Sequence, residues 1–251
     1  ADGSVVLRNA RIRMHMLRST SGFAAWTMSV PRDGEWQQVS SGSFGTLTAL
    51  SEGRPVESRL YPTDAKLSND SVTLSLNGTA GASPCTFEWV FRLDAEKPRV
   101  SVRHSVTAQQ PADILHFSGP TVYAGDGAFG AKKDEALFPG LEYLLTEDSS
   151  GTEFVSPPNN LRTVPHPNKV TIPFMAVRHG GTLVMLEWDP LQRWDGKADR
   201  PSPIFASRNF LDGQDNHLMG IFAPSVPDWT PENKTTAEKP YALAAGQSIR
   251  L

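Results

Sequence analysis

The chain has 251 residues, enough for one large all-β domain or two ordinary ones, and long enough to bury a substantial core without disulfide staples. A formal charge of -3, with Lys and Arg scattered, excludes a nucleic-acid surface or an anionic membrane as the natural partner. No stretch reaches the ~20 apolar residues needed to cross a bilayer, and the single cysteine, Cys85, can form no internal disulfide and leaves the compartment open.

The N-terminus "ADGSVVLRNA" has neither a charged nor an apolar leader region. Ala1 fits the mature end of a secreted or periplasmic protein, and fits a trimmed chain equally. Strands are predicted at 4–8, 11–17, 24–30, 46–50 and 72–77. In "TFEWVFRLD" the side chains of Phe87, Trp89, Phe91 and Leu93 share one face. In "RVSVRHSV" Val100, Val102, His104 and Val106 do the same, with Arg and Ser opposite. That period of two marks antiparallel strands with one buried and one wet face. "DAEKP" between them reads as a turn.

A strand at 114–117 leads into 119–168, a long stretch rich in Gly, Pro and Asn. Within it "KKDEALFPGLEYL" is the best short helix candidate, interrupted by Pro139-Gly140. Strands at 170–178 and 182–188 precede a polar loop, "DPLQRWDGKADRPSP", over 189–203; further strands fall at 204–207 and 217–223. Twenty Gly and twenty Pro punctuate these runs, as a turn-rich all-β protein requires. Without a linker, internal repeat or low-complexity tract, residues 1–251 read as a single domain.

The runs "ALFPGLEYL", "KVTIPFMAV", "LEWDPLQRWDG" and "FASRNFLDGQDNHLMGIFAPSVPDW", and the closing "PYALAAGQSIRL", resemble the galactose mutarotase-like domains of bacterial carbohydrate-active proteins. The resemblance implies an all-β, large antiparallel two-sheet supersandwich with few or no helices. It also implies a role in polysaccharide degradation, an oligo- or polysaccharide as partner, and a companion catalytic α/α-toroid in a longer protein.

Sugars present C–H faces that stack on aromatic rings. Trp194 and Trp229 lie in polar, Pro-rich loops and are the candidate platforms; the alternative for each is an indole that anchors its loop on the sandwich. Around them Arg193, Asp195, Asp212, Gln214 and Asp215 offer hydrogen bonds to hydroxyls. The segment "DGQDNH" is also ordinary turn chemistry. Its clustered oxygens would suit calcium, but it lacks the EF-hand spacing, so no metal or other cofactor is expected. Were the chain an enzyme of the aldose epimerase, glycoside hydrolase or polysaccharide lyase type, the resemblance would ask for an acid–base pair. His217 with Glu187 or Glu142 are then the candidates, each having a plain structural alternative as a capped or solvated group. The main expectation is a carbohydrate-recognition or accessory domain, in which the loops at 189–203 and 211–217 line one hollow.

Overall fold

The computed structural model describes residues 3–145, 162–189, 191–197, 200–206, 213–214 and 216–251. Asp212 and Asp215 therefore lie outside the described residues. The N-terminal strands are β1 (Val5–Arg8), β2 (Arg13–Ser19), β3 (Gly22–Arg32), β4 (Glu35–Ser43), β5 (Thr46–Ser51) and β6 (Arg54–Arg59). Next come β7 (Asp64–Leu67), β8 (Ser71–Ala80), β9 (Ser83–Leu93), β10 (Val100–Ala108) and β11 (Ala112–Ala124). Then follow β12 (Glu135–Phe138), β13 (Glu142–Leu144), β14 (Phe174–His179), β15 (Thr182–Glu187), β16 (Ser202–Ala206), β17 (Leu218–Ala223), β18 (Tyr241–Leu243) and β19 (Ser248–Arg250). Among the described residues the only helical element is a 3-10 turn at Pro167–Lys169, and no helix is long and apolar enough to cross a membrane.

These strands form three antiparallel sheets. The largest has ten strands, along the path β1-β2-β3-β4-β11-β17-β16 with β5, β6 and β18 joined at β11's other half. A five-stranded sheet runs β19-β10-β9-β8-β7, and a four-stranded sheet runs β13-β12-β14-β15. Side chains from all three meet in one core. Phe44 packs edge-on against Trp89 and Phe91, with ring centroids 6.2 and 6.1 Å away. The buried Trp89 indole donates to the Phe44 carbonyl at 2.9 Å, so its N–H is satisfied inside the core.

Strand β11 organises the large sheet. It continues through Gly119-Pro120, where the expected loop begins, because a register shift between Ser118 and Thr121 absorbs the proline on the pairing with β17. Its first half is flanked by β5 and β18, its second half by β4 and β17. The short, interrupted helix candidate at 132–144 is a β-hairpin of β12 and β13, since Pro139 and Gly140 (φ 76°) turn the chain and Phe138 pairs with Glu142. Strand β4 carries no clean alternation because Ser40, Ser41 and Gly42 are all buried. Gly42 has no side chain because the Trp26 ring lies over it: a Cβ there would come within 2.0 Å of the indole.

Period two gives the ten-stranded sheet two different faces. On β17, Met219, Ile221 and Ala223 point into the main core, whereas Leu218 and Phe222 belong to a smaller cluster on the other face with Tyr123, Ile204 and Val226. That second face carries the site described next. It is covered in part by the segment 226–236, which is tied down through the buried Glu232. Glu232 pairs with Arg162 at 3.3 Å and Lys169 at 3.1 Å.

Candidate functional site

On the outer face of the large sheet lies a groove of about 400 Å³. Its floor comes from the polar side of strands whose opposite side is core. Thr46 and Thr48 alternate with the buried Leu47 and Ala49 on β5, and Thr121 and Tyr123 alternate with Val122 and Ala124 on β11. Neighbouring β6 presents Glu57 and Arg59, which pair in register with Thr48 and Thr46. Tyr61 and Phe129 close the sides, Phe129 standing edge-on to Tyr123 at 5.7 Å and 42% exposed. The groove thus combines aromatic surface with hydroxyls and one charge of each sign.

His116 also lines the groove. It stacks on Phe222 at 4.8 Å, and its Nδ1 lies 2.7 Å from the Thr235 carbonyl. A carbonyl only accepts, so Nδ1 carries the proton and Nε2 is left as the basic nitrogen. Burial pulls the imidazole down to about 4, partly offset by that hydrogen bond, so His116 is neutral at neutral pH.

The residues singled out in the sequence do not assemble here. Trp194 is 3% exposed: its indole N–H donates to Ser225 Oγ at 2.7 Å and its ring stands edge-on to Tyr241 at 4.8 Å. It anchors its loop against the C-terminal strands and offers no face to a sugar. The shared hollow fails for a second reason. The loop around Trp194 is pinned at Ser225, beyond the end of β17, whereas Gln214 and His217 precede its start. The six residues of β17 hold the two loops apart by roughly 17–20 Å. Arg193 and Gln214 are exposed, and Asp195 accepts from the Lys197 backbone within its own turn. Trp229 does present a free indole, 79% exposed.

The acid–base candidates are also separate. His217 is fully buried with its ring 4.5 Å from that of Phe205 on the core side of the large sheet. Neither ring nitrogen has a hydrogen-bond partner among the described residues. Burial first, and the charge of Lys133 second, hold it neutral far below the usual histidine range. Glu142 faces inward from β13, 3% exposed, and accepts the backbone N–H of Arg162 at 3.0 Å. Glu187 ends β15 half-exposed and ion-paired with Arg99. Glu187 lines a second cavity, on the opposite side of the large sheet from the groove, and neither Glu142 nor His217 lines the groove or that cavity.

Of the groove residues, Thr46, Thr48 and His116 lie in predicted strands, whereas Glu57, Arg59 and Tyr61 lie in no predicted element and Thr121, Tyr123 and Phe129 in the stretch read as a long loop. Thr46 and Thr48 alternate with apolar neighbours, but hydroxyls on a solvent face are so common that the pattern alone selects nothing. Among the described residues no three His, Cys, Asp or Glu side chains gather to hold a metal ion. Comparison with protein-family models, with curated proteins and with solved structures gives no match to this chain.

Proposed function

We propose that the chain is a carbohydrate-recognition or accessory domain of a polysaccharide-degrading system, and that the saccharide binds in the groove on the outer face of the ten-stranded sheet. The observation that carries this reading is the lining: Tyr61, Tyr123 and Phe129 beside Thr46, Thr48, Glu57, Arg59 and His116 in about 400 Å³. Aromatic faces match the C–H faces of a pyranose, and hydroxyls, a carboxylate and a guanidinium match its hydroxyl rim. The volume falls within the range of small-molecule sites. A companion toroid and export from the cell belong to the same proposal and rest on the sequence resemblance.

Isothermal titration with a panel of soluble oligosaccharides tests it. At least one should bind saturably, with Phe129→Ala and Arg59→Ala each weakening it ten-fold or more while Trp194→Phe leaves it unchanged. No heat from any member of the panel refutes the reading.

One observation favours a second reading, an acid–base catalyst on sugars. Glu57 and His116 line the same groove, and His116 is held as a neutral base. Mutarotation and sugar-release assays on Glu57→Gln and His116→Ala decide it. Activity that survives both substitutions refutes it.

A further inference from the structure

The four-stranded sheet buries one face and bares the other. Ala136, Phe138, Leu144, Met175, Val177 and Val184 all enter the main core. Parity then sends Leu137, Tyr143, Leu183 and Met185 outward, where each is between 38% and 63% exposed. The five-stranded sheet obeys the same rule with ordinary surface residues: Ser75, Glu88 and Ser105 form one outward row, and Ser71, Arg92 and Ser101 another. An apolar outward face rimmed by charge marks a contact surface.

Register orders these side chains. Tyr143 pairs with Leu137, Leu137 with Ala176 and Ala176 with Met185, so the four stand in one row straight across β13, β12, β14 and β15. The neighbouring row holds Glu135, Arg178 and Leu183. Carrying the β12–β13 register one residue on puts Leu145, also exposed, at its other end. Arg178 reaches Glu135 at 2.9 Å, and the Tyr143 hydroxyl donates to Glu135 at 3.2 Å, so both rows share this face.

The order within the rows identifies the occupant. Read from β13 to β15 they run Tyr-Leu-Ala-Met and Leu-Glu-Arg-Leu. A two-fold axis parallel to the strands, midway between β12 and β14, lays each row over its own reverse in a second copy. Glu135 then faces Arg178 of the second copy and Arg178 faces its Glu135. Leu137 sits over the small Ala176, Tyr143 over Met185 and Leu145 over Leu183. Large meets small at the centre, and opposite charges meet twice. An axis running across the strands would instead lay Glu135 on Leu137 and Arg178 on Ala176, each charge against an apolar side chain.

We infer that this face is the contact between two copies of the chain, an isologous dimer in which the two four-stranded sheets stack aligned, within about 30° of each other. A lipid surface would accept the leucines but press the Glu135–Arg178 pair against hydrocarbon, which is costly. An unrelated protein has no need of rows that match their own reverse. The saccharide groove is on the far side of the ten-stranded sheet, so dimerisation leaves it open and either proposal can fail without the other.

Sedimentation equilibrium over the micromolar range should show the 27.4 kDa chain passing into a particle of twice that mass. Met185→Lys should weaken the dimer at least ten-fold. So should Arg178→Glu or Glu135→Arg alone, with the far-ultraviolet spectrum unchanged. Mixing the two charge variants is the decisive arm. Each repels its own kind across the axis and attracts the other, so the mixture should dimerise where neither variant does by itself. A chain that stays monomeric throughout overturns the proposal, as does a dimer untouched by Met185→Lys or a mixture that fails to associate. Should a charge variant lose its fold, the thiol introduced by Leu183→Cys decides instead, Cys85 being buried. Its labelling should slow at least ten-fold as concentration rises into the dimer range. Labelling that is slow even in dilute solution shows the face covered by the chain itself, and labelling that is fast at every concentration shows it bare; either overturns the assignment to a second copy.

Discussion

Acidification should unfold this protein through its buried histidines, and His104 carries the argument. It is fully buried, with Trp89 and Phe91 edge-on to its ring at 5.7 and 6.4 Å. Nδ1 is 3.4 Å from the Ser118 carbonyl and Nε2 has no partner among the described residues. Burial lowers its pKa from 6.5 to about 3, only partly countered by Ser118. Because the folded value is depressed, the unfolded chain binds the proton first. The stability is fully present above pH 6.5 and is lost as pH falls from there toward the folded value. At about 1.4 kcal/mol per pKa unit, His104 alone removes about 3 kcal/mol by pH 4. That is a large fraction of the ~5–15 kcal/mol typical of a folded domain. His116 and His217 act in the same direction. Urea midpoints at pH 7, 6, 5 and 4 for the wild type and His104→Leu measure the effect. The variant should lose about 3 kcal/mol less between pH 7 and 4. Parallel pH profiles for the two proteins would refute the reasoning.

Trp194→Ala removes an indole that is buried and hydrogen-bonded, and should destabilise by about 3–5 kcal/mol in urea denaturation. Gly42→Ala forces a Cβ toward the Trp26 ring and the Thr121 carbonyl, so its Tm should fall by several degrees, with a cost of about 1–3 kcal/mol. Glu187→Gln breaks an ion pair whose side chains are both about half exposed, and should change stability by less than ~1 kcal/mol. Cys85 is 1% exposed, and burial pushes its thiol up, so a thiol-specific reagent should label it only on denaturation.

The fold was legible where one face of a strand is core and the other is water. Phe87, Trp89 and Phe91 announce β9 for that reason, and all three are fully buried. Strand β4 was not legible, because Ser40, Ser41 and Gly42 are buried under Trp26 and neighbouring strands, where small residues are required and alternation vanishes. The hairpin at 135–144 was missed because its short strands also fit a helical spacing, which a tertiary pairing with β14 overrides. The site was harder still. Trp194 in a polar loop has the same sequence signature whether its ring faces solvent or Tyr241, and its burial depends on Ser225 and β18, distant in sequence.

That last difficulty has a structural origin. A loop residue's environment is set by whichever distant segment folds over it, so tryptophans in similar loops end oppositely: Trp194 sealed, Trp229 bare. A strand residue's environment is set by its parity, which the neighbours in sequence already determine. The groove proposed here for binding therefore rests on strand parity, since it uses the outward side chains of β5, β6 and β11. The same parity fixes register: moving β10 by a single residue against β9 would turn Val100 and Val102 to solvent. The buried row Phe87, Trp89 and Phe91 opposes that slip, since it would carry the partner strand's His104 and Val106 out of the core. The same apolar alternation that builds the sandwich thus holds β9 and β10 in register.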